Sequence, residues 1–482
     1  MLCSATTARA FALISFLSFL SLAALGPNAA AAQTATDGAS LSAALANATA
    51  GDVVQIDGHI VGDFTVPAGV TLLGTTTAII EGAGAGAALT VVPGATTTTI
   101  KNLTVVSDGR YGIWVSGAGA THLNNVAVSA TRGVGIAGEG TDFLGLRNVH
   151  VLGPVTEDNA DAVPAEVSPF DTATHGLILL GVEDAVLVGV HVSGFAQAGA
   201  IIAASTTAIR RSHFNRNVGT GLVLAAGDTT IHNSSANRTF RGARTEDARV
   251  TGLAVGAGAN VTTTRMRTIN NQGFGVFQDG SGITEHHRLA SLANLDGGLW
   301  AQDAEYLGVD RASISGNSNT GIAAIDTTYA LIADTWVVAT HSTSIDGKAA
   351  QGDGIVLIDT PGALDHVTLR GNDRVGLLAT LDSSSSPDDI SLTDVVVAGP
   401  RGALGVVFQT HFSILATITE GITRLGQVAA NDQYIQGLKG MEIFGTLEPP
   451  VGLPTAIELV GTLEPPVGSP ARIDEAIFGD GN

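Results

Sequence analysis

Five carboxylates crowd one short stretch: Glu157, Asp158, Asp161, Glu166 and Asp171, with His175 just beyond. Carboxylates this dense suit Ca²⁺ ligation or an acid working opposite a base. Glu157, Asp158, Asp161 and His175 are the catalytic candidates. No EF-hand spacing is present, and a solvated acidic loop explains the stretch more simply. A second stretch offers Arg241, Arg244, Glu246, Asp247 and Arg249. Arginine there suits a sugar carboxylate, although salt bridging within the loop needs nothing further. His150, His191 and His213 recur in one phrase of the sequence and are candidate transition-metal ligands. A plain surface ladder of side chains is the simpler account of them. Phe277 and Trp300 are candidates for stacking a sugar ring, with packing beneath a cover as the alternative.

These residues hang on a repeat. One phrase recurs: Gly, a branched aliphatic, any residue, then usually another apolar one. Examples are Gly112-Ile113-Trp114-Val115, Gly221-Leu222-Val223-Leu224, Gly298-Leu299-Trp300-Ala301 and Gly354-Ile355-Val356-Leu357. Successive glycines from Gly112 to Gly405 are 23, 41, 23, 22, 31, 23, 23, 23, 33, 22 and 29 residues apart. The base period is 22 or 23, and the longer intervals are one period plus an insertion. A second phrase follows many of these glycines, as in Leu123-Asn124-Asn125-Val126-Ala127-Val128 and Leu364-Asp365-His366-Val367-Thr368-Leu369. Its third position favours Asn, Gly, His and Asp, which tolerate a left-handed backbone, so a corner is expected there.

Short strands and tight corners at a fixed period describe one coil of a solenoid. Helical patterns between the strands are absent, which excludes a TIM barrel or a doubly wound sheet. The phrases resemble those of the right-handed parallel β-helix repeat family, the fold of pectate lyases and polygalacturonases. The resemblance runs from about Gly51 to Phe408 and implies an all-β right-handed solenoid. A helical segment Ser40 to Ala48, with Leu41, Ala44 and Leu45 on one face, is expected to cap its open end. The resemblance does not carry catalytic residues over. Polygalacturonases show Asn-Thr-Asp, Asp-Asp, Gly-His-Gly and Arg-Ile-Lys in that order. Here Asp388-Asp389 and Thr174-His175-Gly176 are a partial echo in the reverse order, and no pectate-lyase signature is present.

Three insertions precede a Gly-aliphatic strand: Pro154 to Thr174, Thr239 to Arg249 and Thr340 to Gly352. They are expected to leave the rod at one corner, and Asp382 to Asp389 at another. Within the Gly-aliphatic strands, alternation sends the middle side chain outward. That outward stripe reads Trp114, Ala137, Ile178, Ile201, Val223, Ala254, Phe277, Trp300, Ala323, Val356, Leu378 and Val407. A wholly apolar outer stripe calls for a cover. The C-terminal segment, the insertion loops or a second copy of the chain would serve.

The chain has 482 residues, with 23 Lys+Arg against 44 Asp+Glu and a net charge of −21. That balance argues against nucleic acid. It also disfavours anionic membranes and, less strongly, polyanionic sugars unless a cation bridges. Arg9, the apolar run Phe11 to Leu25 and Ala29 to Ala32 form a secretory signal peptide. No later segment is long and apolar enough to span a membrane. The expected organisation is a signal peptide over 1–32, a parallel β-helix over 33–408 and a C-terminal segment over 409–482. That segment repeats Gly-Thr-Leu-Glu-Pro-Pro-Val-Gly at 445–452 and 461–468.

The expected function is a secreted or periplasmic scaffold that contacts carbohydrate or another component of the cell envelope. The alternative is a polysaccharide lyase or glycoside hydrolase working along the insertion edge. A third candidate, resting on the histidines alone, is a metal-handling envelope protein. No cofactor is required, and Ca²⁺ is the one the acidic loop would suit.

Overall fold

The computed structural model describes residues 33–163, 173–242, 250–342, 352–381 and 390–398, and short strands between 404 and 429. The expected signal segment and the duplicated tail lie outside these residues, as do Glu166, Asp171, Arg244 to Arg249 and Asp388-Asp389.

The strands wind as coils of three, and each strand pairs in parallel with its counterpart one coil on. The first sheet contains the Gly-aliphatic strands, for example Phe274–Asp279, Gly297–Gln302 and Asn319–Ile325, in the register Val276↔Leu299↔Ile322. The second contains Ile283–His287, Tyr306–Asp310 and Ala330–Ala333. The third contains Ala290–Leu292, Ser313–Ser315 and Trp336–Val338. Their inward aliphatics, including Leu299, Ile322 and Ile332, join one continuous core. The helix Gly38–Asn47 closes the N-terminal end, with Leu41, Ala44 and Leu45 in that core. Asp37 caps it by accepting from the Ser40 N–H at 2.7 Å. At the other end the direction reverses. Ile414–Thr419 and Ile422–Leu425 pair antiparallel with Leu404–Thr410 and Val395–Ala398. The last parallel edge is thereby occupied.

The repeat glycines have a steric cause. A Cβ placed on Gly112, Gly135, Gly176, Gly199, Gly221, Gly252, Gly275, Gly298, Gly321 or Gly354 would lie within 2.7 Å of the carbonyl oxygen of the next glycine in the series. No side chain fits in that gap. The second phrase also folds as expected. From Asn102 to Asp394 its third residue is left-handed at coil after coil, with φ between 46° and 65°. Asn125 and Asn148 each donate Nδ2 to the Asn Oδ1 one coil back at 3.1 Å, a ladder along that corner.

The outer stripe of the first sheet is buried within a single chain. Phe277 and Trp300 are 1% and 3% exposed, in a cluster with Ala323, Val356 and Leu378 that is separate from the core. Trp114, Ala137 and Ile178 form another, and Val223 and Ala254 a third. Burial corrects one expectation: neither ring offers an open face for a sugar, and both pack beneath a cover.

Inside the core sits a closed polar network. Gln278 Nε2 donates to His286 Nε2 at 2.5 Å, and His286 Nδ1 lies 3.0 Å from Thr263 Oγ1. Thr284 Oγ1 donates to Gln278 Oε1 at 2.9 Å. Complete burial, with a smaller contribution from His287, pushes the His286 pKa down to about 3.

Two outcomes follow from this packing. Gly275→Ala places a Cβ 2.6 Å from the Gly298 oxygen and should cost about 1–3 kcal/mol or more in chemical denaturation. Gly86→Ala meets nothing within 4 Å and should be neutral; equal losses would refute the steric account. His286 is held neutral in the fold, so the unfolded chain takes the proton first. Its contribution is whole above about pH 6.5 and is lost progressively as pH falls towards 3, on the order of a few kcal/mol. His286→Gln, neutral throughout, should therefore lose less melting temperature between pH 7 and 4.5 than the parent. Identical losses would show that His286 does not titrate across unfolding.

Candidate functional site

The third sheet is chemically unlike the rest of the chain. Its strands from Leu103 to Ala398 contain no Asp or Glu, although the chain holds 44 of them. Parallel pairing stacks its outward side chains into rows along the rod. One row runs His150, His191, His213, Ser235, Arg267, Ala290, Ser313, Trp336. The next outward positions include Ser193, Asn215, Asn237 and Ile269. Beyond them lies the corner to the first sheet, where Arg216 and Arg238 are left-handed, with φ of 58° and 55°.

These rows enclose a groove of about 410 Å³ across four coils, lined by His191, Ser193, His213, Asn215, Arg216, Asn237, Arg238, Arg267 and Asn270. The three guanidiniums are exposed, and none forms an ion pair with a described residue. Asn215 Oδ1 accepts from the Asn237 N–H (2.8 Å) and from Ser235 Oγ (3.2 Å). Asn237 Oδ1 accepts from the Ile269 N–H at 2.8 Å. Both amide oxygens are thus tied to the next coil, and the Nδ2 donors remain for a ligand. Beneath the corner a buried ladder fixes the backbone. Asn217 Oδ1 accepts from the Phe195 N–H, and Asn271 Oδ1 from the Thr239 N–H and hydroxyl. Asn294 and Asn317 continue it, each accepting from the Asn one coil back.

The predicted histidines lie in and beside this groove. His150 and His191 stack with centroids 4.7 Å apart and planes within 3°, and His191 and His213 sit 4.7 Å apart at 51°. Lone pairs of parallel rings lie in parallel planes and do not converge on one ion. No group of three metal-capable side chains occurs among the described residues. The stripe is a stacked ladder, and its geometry gives no support to a metal centre. Burial, helped by the neighbouring imidazoles, lowers the His191 pKa. Burial, then Arg267, lowers that of His213.

Glu157 and Asp158 are exposed on a 3₁₀ turn, Glu157–Ala162. His175 is buried in the first sheet, paired with Val134 and Ala198. The side chain of Asp161 lies outside the described residues. The 3₁₀ turn docks through Val155, Ala160 and Val163 onto Ala196, Val218 and Phe240, beside the Arg216–Arg238 corner. The strands flanking the first three insertions place all of them at that same corner, and those flanking 382–389 place it between the first and second sheets. Arg241 bridges coils instead of awaiting a ligand. It donates to both oxygens of Asp296 (2.6 and 2.7 Å) and to the Gln272 carbonyl (2.9 Å).

The sequence reading missed Arg216, Arg238, Arg267, Asn215 and Asn237. The 22-residue steps from Asn215 to Asn237 and from Arg216 to Arg238 were the available signal.

The family described as "Right handed beta helix region" matches residues 88–245 and 231–390. No curated protein sequence matches the chain. Among solved structures, tailspike protein 3 of bacteriophage CBA120 is similar at 12% identity over 74% of this chain and 58% of its own, with a TM-score of 0.41. The A-module of the Azotobacter vinelandii mannuronan C-5 epimerase AlgE6 is similar at 17% identity over 79% and 93%, with a TM-score of 0.38. The gp42 tailspike of Acinetobacter phage vb_AbaP_AS12 is similar at 10% over 86% and 67%, also at 0.38.

An NMR titration of the imidazoles should place the His191 and His213 midpoints below the ordinary value near 6.5. Added Zn²⁺ should leave those signals and the melting temperature unchanged. A Zn²⁺-dependent rise in melting temperature with proton release would restore the metal centre.

Proposed function

From the chain's membership of the right-handed β-helix family, we propose that it is a rigid exported scaffold that contacts carbohydrate along its third sheet. The observation that carries this is the groove across four coils, lined among the described residues by hydrogen-bond donors and by no carboxylate. Sugar hydroxyls and ring oxygens are acceptors as well as donors, and the free Nδ2 groups of Asn215 and Asn237 suit them. Trp336 extends the surface. It lies on the same outward row, three coils beyond Arg267, and is 64% exposed. An indole lying open on a rigid sheet is an apolar platform for the C–H face of a sugar.

Binding is assigned ahead of turnover. A two-carboxylate hydrolase needs both groups across an open groove, and the described residues lining this one include neither. No helix among the described residues is long and apolar enough to cross a membrane.

A glycan array probed with the chain tests the proposal, followed by titration with any glycan retained. Trp336→Ala removes an exposed ring, so folding should be unaffected while affinity falls about tenfold, some 1.4 kcal/mol. Retention of no glycan, or full affinity in both Trp336→Ala and Asn237→Leu, would refute it.

A further inference from the structure

Resting on that reading of the groove, we infer that the carbohydrate is a polyanion: a linear acidic glycan laid along the rod over a strip of guanidiniums. Net charge points the other way, and the local arrangement overrides it.

The strip reaches past the groove. Arg216 and Arg238 form its edge at the corner to the first sheet, and Arg267 stands in its floor. Across the sheet, at the corner to the second, Arg211, Arg265 and Arg288 are exposed and left-handed, with φ of 50°, 58° and 57°. None of the six forms an ion pair with a described residue. On these coils no carboxylate stands on the strands between the two edges.

The backbone makes the placement informative. A left-handed conformation costs a side-chain-bearing residue about 1–2 kcal/mol, and Gly or Asn avoids most of that. On other coils the same corners hold Gly194, Asn270, Ala293, Gly316 and Ala339 on one edge, and Asn125, Asn148, Gly189, Arg311, Asp334 and His366 on the other. The turn itself accepts residues of several kinds, and Gly, Asn or Ala suffices for it. Five of the six guanidiniums occupy positions where they are locally unfavourable, on neighbouring coils, and face one strip of sheet.

A single small anion would need one such cluster. Here the cations recur coil after coil at about 4.8 Å, so an extended ligand with repeating negative charge fits them. The same groove supplies neutral amide donors for hydroxyls, which favours a glycan over a nucleic acid. Carboxylate and sulfate share this chemistry, since each accepts paired guanidinium hydrogen bonds.

The test titrates the full chain calorimetrically with four probes of similar length: oligogalacturonate, a heparin-derived oligosaccharide, maltohexaose and single-stranded DNA. Binding of an acidic glycan should weaken about tenfold or more between about 50 and about 200 mM salt, as displacement of about three counterions requires. The combined variant Arg216→Gln, Arg238→Gln, Arg267→Gln should fold with an unchanged circular dichroism spectrum, lose at least about tenfold in affinity and show a flattened salt dependence. The tighter of the two acidic probes identifies the charged group. Maltohexaose binding equally well without salt dependence would overturn the polyanion while leaving carbohydrate contact standing. Unchanged affinity in the triple variant would overturn the assigned strip, and DNA binding tighter than every glycan would overturn the ligand class. Silence with all four probes would defeat both this inference and the carbohydrate reading beneath it.

Discussion

Every row in this molecule descends from one close approach. The repeat glycines of the first sheet lie so near the carbonyl above them that no β-carbon fits between. A glycine at that position lets the coil turn into the Gly-aliphatic strand at a fixed height and angle. Once the coils are in register there, each residue of the third sheet stands beneath its counterpart one coil on. His191 then faces His213, and Asn215 faces Asn237, as consequences of a stack set on a different face. Chemistry on such a rod is a property of rows, because no single coil is large enough to build a site.

Polar groups inside the coil serve that register. The ladder through Asn271, Asn294 and Asn317 satisfies backbone N–H groups at a tight turn, where an apolar residue would leave them buried and unpaired. Asn217 and Thr239 directly follow Arg216 and Arg238 in the chain. Their buried side chains therefore pin the corners from which the two guanidiniums project. Preorganisation of the exposed cations comes from hydrogen bonds beneath them, and this limits the ordering cost that a flexible arginine brings to binding.

The architecture was legible because its constraints repeat. The glycine interval, the left-handed third residue at Asn125, Asn148, Gly189 and His366, and the capping helix can all be read from the sequence, the helix to within two residues at its start. The apolar outer stripe was legible too, since alternation alone separates Phe277 and Trp300 from the core. The groove was not. Arg267 and Arg238 belong to different rows and come together only because the first- and second-sheet strands between them, Thr251–Val255 and Asn260–Thr264, bring the chain round to the third sheet again. The acidic stretch around Glu157 drew attention through density along the chain, whereas a solenoid builds sites across coils. Local density favoured the insertion, and axial stacking favoured residues 22 positions apart.

The same distinction governs electrostatics. A total of −21 describes the far field, and it led to the expectation that acidic sugars are disfavoured. At physiological ionic strength, exposed charges more than about 8 Å apart are largely screened. A ligand lying on the third sheet therefore responds chiefly to the arginines beneath it and weakly to carboxylates around the rod. The excess negative charge still acts at longer range and opposes the approach of any polyanion when salt is low. Bound and approaching ligand thus experience fields of opposite sign. The affinity of such a site is set by contact, and its association rate is held back by the rest of the molecule.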